Sequence, residues 1–242
     1  MQYTVIGDAN QCVVTQMNHG DEIRAEVGAM VLLSDGVALE AASNHAVMRV
    51  SDLPVLNSPV PLTHFRCMSP LGVVAFAAAC SGETRELEVR GVPWMCARES
   101  FLFCSRDVTT TIGLVHGVES GYFRDNGYVL YRLAGYGEAY IHCGGNVIEY
   151  ELAPGQRVSV DAGCVAAFHE TVKPTIEAFD GLPSTQGGTD SLFLMTLTGP
   201  GHIYLATLPL SRIAQATRPG RPASVRLPGS GGASLGNLVK EL

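Results

Sequence analysis

Three stretches decide the fold: GDEIRAEVGAMVLLSDGV (20–37), GVPWMCARESFLFCSRDV (91–108) and GQRVSVDAGCVAAFHETV (155–172). Aligned on Gly20, Gly91 and Gly155, they carry apolar residues at the same odd offsets. Offset three is Ile23, Trp94 and Val158, and offset five is Ala25, Cys96 and Val160. Offset eleven is Val31, Leu102 and Ala166, thirteen is Leu33, Cys104 and Phe168, and seventeen is Val37, Val108 and Val172. Side chains alternate between the two faces of a strand, so odd offsets within a strand share one face. A second pattern keeps the register. LAGYGEAY (133–140) and LTGPGHIY (197–204) lie 64 residues apart, the spacing of Gly91 and Gly155, and MSPLGVVAF (68–76) is a looser copy.

Two unrelated patterns in one register read as three copies of a β-unit of about 65–70 residues, in a pseudo-threefold arrangement. A single copy cannot bury its apolar face alone, so the copies pack as one domain over residues 1–210. Outside the aligned stretches, short apolar or alternating runs are separated by Gly, Pro, Asn and Asp. That pattern predicts an all-β, antiparallel sandwich or barrel-like fold. Helical turns are expected only at 210–216 and 235–242. Ile23, Val31, Leu33, Leu133, Val158, Val160, Phe168 and Leu197 are the expected core.

Composition narrows the function. Of 242 residues, 46% are hydrophobic and 16% charged, against a usual charged share of about 25%. This excludes a disordered chain, a coiled coil and a basic nucleic-acid-binding tail protein. The net charge of −7 repels phosphate backbones, so no nucleic-acid partner is expected. No apolar run reaches membrane-spanning length and the N-terminus has no secretory pattern, which predicts a cytoplasmic protein. The seven cysteines have no CxxC spacing and read as buried, reduced thiols rather than zinc ligands. Residues 211–242 carry a charge of +4 and are rich in Arg, Pro and Gly. They read as a linker-like C-terminal tail.

Candidate chemistry is sparse. No His-x-His pair occurs among the seven histidines. Glu138 and His142 share a strand face about 13 Å apart. His202 occupies the repeat position of Glu138, and Tyr204 that of Tyr140. Closure of the copies around an axis brings Glu138, His202 and Tyr140 toward one rim, so Glu138, His142 and His202 are the candidate metal or acid–base residues. No cofactor is expected. GASLG (232–236) has a Gly-x-Ser-x-Gly spacing, but no strand leads into Ser234. The glycines of GYG (135–137) and GPG (199–201) read as hairpin glycines with positive φ. Cys143 beside His142 and Cys104 near Arg106 lack the base a thiol nucleophile needs. Trp94 reads as core.

The stretches HGDEIRAEVGAMVLLSDGV (19–37), GYFRDNGYVLYRLAGYGEAYIHCGG (121–145), LAPGQRVSVDAGCVAAF (152–168) and LFLMTLTGPGHIYL (192–205) resemble the altered-inheritance-of-mitochondria protein 24 family in a bacterial form. The shared motifs are the turn at Glu26–Met30, the Pro-Gly entry at Pro154–Gly163, and the paired hairpins at Leu133–Gly137 and Leu197–Gly201. The middle unit departs from them, with Arg98-Glu99 where its sisters have Val27-Gly28 and Ala162-Gly163. A distorted middle turn and broken threefold symmetry are therefore expected. The resemblance implies a fold like that of the tryptophan RNA-binding attenuator protein superfamily, with stacked sheets and frequent oligomers. It implies no RNA binding, because fold does not give function. It supplies no catalytic set, and the eukaryotic relatives suggest organisation of membrane-associated assemblies. Two readings follow. One is a non-catalytic homo-oligomeric scaffold that binds a protein or small molecule. The alternative is a small-molecule or metal-dependent enzyme or binder at the hairpin rim.

Overall fold

The computed structural model describes residues 1–41, 56–116, 128–183, 189–210 and 213. The expected tail at 211–242, its helical turns and Ser234 lie outside them, except that Leu210 and Ile213 are helical. A leading strand β1 (Gln2–Ile6) precedes the first unit. That unit holds β2 (Cys12–Asn18), β3 (Glu22–Ala25), β4 (Met30–Leu33), β5 (Val37–Glu40), β6 (Thr63–Cys67) and β7 (Leu71–Ala77). The second holds β8 (Gly82–Arg90), β9 (Trp94–Ala97), β10 (Phe101–Ser105), β11 (Val108–His116) and β12 (Tyr128–Gly144). The third holds β13 (Val147–Leu152), β14 (Arg157–Asp161), β15 (Val165–His169), β16 (Lys173–Pro183), β17 (Thr189–Thr198) and β18 (Gly201–Ala206).

The alignment on glycine has a backbone cause. Gly20, Gly91 and Gly155 take φ of 87°, 82° and 76°, a region costly for any residue with a Cβ. Nothing crowds them, so conformation rather than space fixes glycine there. Each leads into a short strand, then a single 3-10 turn (Val27–Ala29, Arg98–Ser100, Ala162–Cys164), then a second strand. The middle turn is therefore not distorted, contrary to the expectation from Arg98-Glu99. Arg98 and Glu99 are exposed there, and only Ser100 is buried, at the offset where the first unit buries Ala29.

Strand pairing repeats as closely. In the first unit β6 lies between β3 and β5, and β7 between β2 and β4. In the third, β17 lies between β14 and β16, and β18 between β13 and β15. In the second, the single strand β12 does both: its first half pairs β9 and β11, its second half β8 and β10. The units are stitched together by antiparallel pairing of β10 with β3 and of β15 with β9. The result is an eleven-stranded sheet with a four-stranded sheet, β1-β2-β7-β4, and a three-stranded sheet, β14-β17-β16. These form one domain that is not closed into a barrel.

The core follows the seams. Phe65, Phe76, Phe103 and Tyr140 fill the space between the first and second units. Leu130, Leu152, Phe168, Met195, Leu197 and Ile203 do the same between the second and third. Of the expected core, Ile23, Leu133, Phe168 and Leu197 are buried. Leu33, Val158 and Val160 are only half-buried, and Val31 is 63% exposed. The physical reason is position in the array. Leu102 and Ala166, which match Val31, are covered because β10 and β15 each pair with another unit, whereas among the described residues β4 pairs only within its own. Trp94 is core at 5% exposure. Cys67, Cys96, Cys104 and Cys143 are buried thiols.

Candidate functional site

Two clefts stand out, one where the first unit meets the second and one within the third. The first, about 440 Å³, is lined by Asp21, Glu22, Arg106, Asp107, Tyr136 and Glu138 among others. Its organising residue is Glu22. The β3–β6 register sets Glu22 opposite Arg66 and Arg24 opposite His64, so four polar side chains meet on one sheet face. The Glu22 carboxylate accepts from Arg66 Nη2 at 2.9 Å, His64 Nδ1 at 3.1 Å and Arg24 Nε at 3.2 Å. Burial works against ionisation, but the Arg66 and Arg24 guanidiniums outweigh it and hold the carboxyl below the usual glutamate range. Glu138 belongs to this cleft, and its backbone N–H donates to Ser105 Oγ at 3.1 Å.

A carboxyl whose pKa falls on folding contributes stability above its unfolded pKa and loses it as the pH drops through the folded value. Glu22→Gln is expected to destabilise the fold by about 1–2 kcal/mol at neutral pH, at the low end for bonds to charged groups because the partners are partly solvated. The gap between variant and wild type closes below about pH 4. Urea denaturation at pH 7 and at pH 3 measures both gaps, and equal gaps would refute the role given to Glu22.

The second cleft, about 630 Å³, is lined by Glu151, Pro154, His169, Thr171, Pro200 and His202 among others. His202 and Glu151 face each other across the β13–β18 pair, with Nε2 and Oε1 3.7 Å apart. The His202 backbone N–H donates to His169 Nδ1 at 3.3 Å, and the two imidazoles meet edge to face at 5.3 Å. Trp94 covers His169 with ring centroids 4.0 Å apart. Burial, then the neighbouring His202, push the His169 pKa down, so its Nδ1 is free to accept. Sequence reading did not single out His169 or Glu151 for a site, and it placed Trp94 in the core, where it lies. The signal for His169 was its matched place in the repeat, since β15 pairs with β9 at His169↔Trp94.

His142 is in neither cleft. It is 3% exposed, with Nδ1 4.0 Å from Cys80 Sγ and Nε2 without a hydrogen-bond partner among the described residues. Burial holds its pKa down. Its ring packs on Gly82, where any Cβ would stand 2.8 Å from it. Gly82 in turn bridges Asn10 and Gly145, joining the three units where their first strands begin. Of the three candidates, then, Glu138 lines one cleft, His202 the other, and His142 is interior. Among the described residues no group of three or more His, Cys, Asp or Glu is placed to hold a metal ion. Burial pushes the Cys104 thiol up to about 11 and the Cys143 thiol up to about 12, which keeps both protonated at neutral pH.

Residues 3–208 match the family model described as Mitochondrial biogenesis AIM24. No curated protein matches the chain. Among solved structures, protein SPYM3_0169 of Streptococcus pyogenes is similar with a TM-score of 0.71 at 19% identity, over 89% of this chain and 97% of that one. At that identity the likeness shows the fold alone.

Proposed function

The chain belongs to the AIM24 family, and on that premise we propose that it is a non-catalytic β-scaffold that works as a homo-oligomer. The observation that carries the reading is where apolar surface is left in water. Met30, Val31 and Leu32 are consecutive on β4 and all are exposed, and Val5, Ile6 and Leu71 are exposed on other strands of the same sheet. A soluble protein covers a surface of this kind with another protein. The interior supports the same reading. Burial holds the Cys96, Cys104 and Cys143 thiols protonated and the interior His142 neutral. The Glu22 carboxylate is engaged by three cationic or imidazole partners rather than poised for proton transfer. The expected cytoplasmic location and a protein or small-molecule partner are part of this proposal. Among the described residues no helix is long and apolar enough to cross a membrane.

Native mass spectrometry of the purified chain at micromolar concentration tests the reading. A multiple of 25.7 kDa is expected. A 25.7 kDa species alone overturns the oligomeric scaffold.

A further inference from the structure

The repeat states what should cover β4. Two seams join the units, and both pair the strand before one unit's 3-10 turn with the strand after the next unit's turn. At the first seam Phe103 pairs with Ala25, Cys104 with Arg24, and Ser105 with Ile23. At the second Ala167 pairs with Cys96, Phe168 with Met95, and His169 with Trp94. Counted from Gly20, Gly91 and Gly155, the two registers are identical, with offsets twelve to five, thirteen to four and fourteen to three. An array of three units has two such seams and two unused halves. The unused halves are β4 of the first unit and β14 of the third.

Both halves carry the marks of an unmade seam. Among the described residues β4 pairs only with β7, and β14 only with β17. Each strand after a turn has a bulge at offset eleven, at Val31, Leu102 and Ala166, so β4 is shaped like the two strands that do make seams. Leu32 is 50% exposed, while Phe103 and Ala167 at the same offset are both 0% exposed. The strands β5, β11 and β16 form no seam in any unit: among the described residues β5 and β16 pair only with β6 and β17, and the outer edge of β11 is held by residues 57–60 of the same chain. Among the described residues, of the six strands that flank the 3-10 turns only β4 and β14 are open where their sisters pair with a neighbouring unit. An exposed apolar edge strand invites another strand, and here the complementary strand is present on the same chain.

We infer that copies of this chain join head to tail, β4 of one pairing antiparallel with β14 of the next in the register Leu32↔Val160, Leu33↔Ser159 and Ser34↔Val158. This names the interface of the scaffold reading and rests on it. The two surfaces differ, so the contact is heterologous, and one copy uses both of its ends.

The test uses full-length chains carrying Leu32→Lys or Val160→Lys, with Ser159→Lys as a second β14 variant because its side chain is exposed in the single chain. A lysine on an edge blocks strand addition without disturbing the strand's own sheet. Each variant alone is expected to lose the wild-type oligomer in native mass spectrometry while keeping its circular dichroism spectrum. Mixing the Leu32→Lys chain with a β14 variant is expected to restore association, because each supplies the wild-type edge that the other lacks. A wild-type chain that is monomeric overturns both this pairing and the scaffold reading. A wild-type oligomer whose single variants remain assembled, or whose mixed variants stay apart, overturns the pairing alone and leaves a different or two-fold symmetric interface.

Discussion

Phe103→Ala is expected to lower stability by about 3–5 kcal/mol, the usual cost of emptying an aromatic site in a close-packed core. The ring is fully buried. It stacks on Phe76 at 4.5 Å and on Tyr140 at 4.8 Å, with Tyr3 6.0 Å away. Those partners sit on three different strands, and Tyr140 is itself fixed by donating its hydroxyl to Glu86 Oε2 at 2.9 Å. The site cannot collapse without moving strands, which places the cost at the high end. Phe103 also lies on β10, which holds β3 on one side and β12 on the other, so the cavity opens the seam between two units. Leu32→Ala at the same repeat offset is the internal control. With half its surface already in water, it is expected to cost under about 1 kcal/mol in the single chain. Urea midpoints of the two variants decide the matter. Comparable losses would mean that the seam does not carry the core.

Fold class, repeat and unit length were legible because strand geometry writes itself into spacing. Gly20, Gly91 and Gly155 stand at positions where φ is positive, and offsets three, five, eleven and thirteen after them fall on the same two strands in every unit. What spacing cannot express is whether a neighbour is there. Val31, Leu102 and Ala166 are equivalent by pattern, yet the first is exposed because among the described residues β4, unlike β10 and β15, pairs with no second unit. Val158 and Val160 are half-open because among the described residues β14, unlike β3 and β9, pairs with no second unit. The pattern reports a strand's local design, while burial depends on the next unit along.

The candidate residues show the same division. Glu138 and His202 are repeat-equivalent, and the structure does place each in a cleft. The two clefts are separate because the first lies where the first unit meets the second, while the second is framed by the third unit alone. His142, four residues from Glu138 on the same strand, passes into the interior where the first strands of the three units meet. The Glu22 cluster was not legible, since Glu22 and Arg66 are 44 positions apart and become neighbours only through the β3–β6 register. The middle turn misled for a related reason. Arg98-Glu99 looked disruptive beside Val27-Gly28, but both side chains keep part of their surface in solvent, and all three turns keep the same 3-10 backbone.

Gly135→Ala is expected to destabilise the protein by about 3 kcal/mol or more, well beyond an ordinary glycine replacement. Gly135 has φ of 129°, a conformation in which a Cβ is strained by about 1–3 kcal/mol. A Cβ there would also run into the backbone carbonyl of Asp107, which cannot swing aside as a side chain would. That carbonyl accepts from the Tyr136 N–H at 3.4 Å and belongs to the turn between β10 and β11. The position is where β12 stops pairing with β9 and β11 and starts pairing with β8 and β10. A shift at Gly135 therefore disturbs four strand pairs together. Gly91→Ala isolates the conformational part, because φ is 82° there but the surroundings are open. Its expected cost is about 1–2 kcal/mol. Thermal melts of both variants compare strain alone with strain plus collision. If Gly91→Ala proved as costly as Gly135→Ala, the close approach of β12 to the Asp107 carbonyl would have no energetic weight, and the changeover between sheets would need another cause.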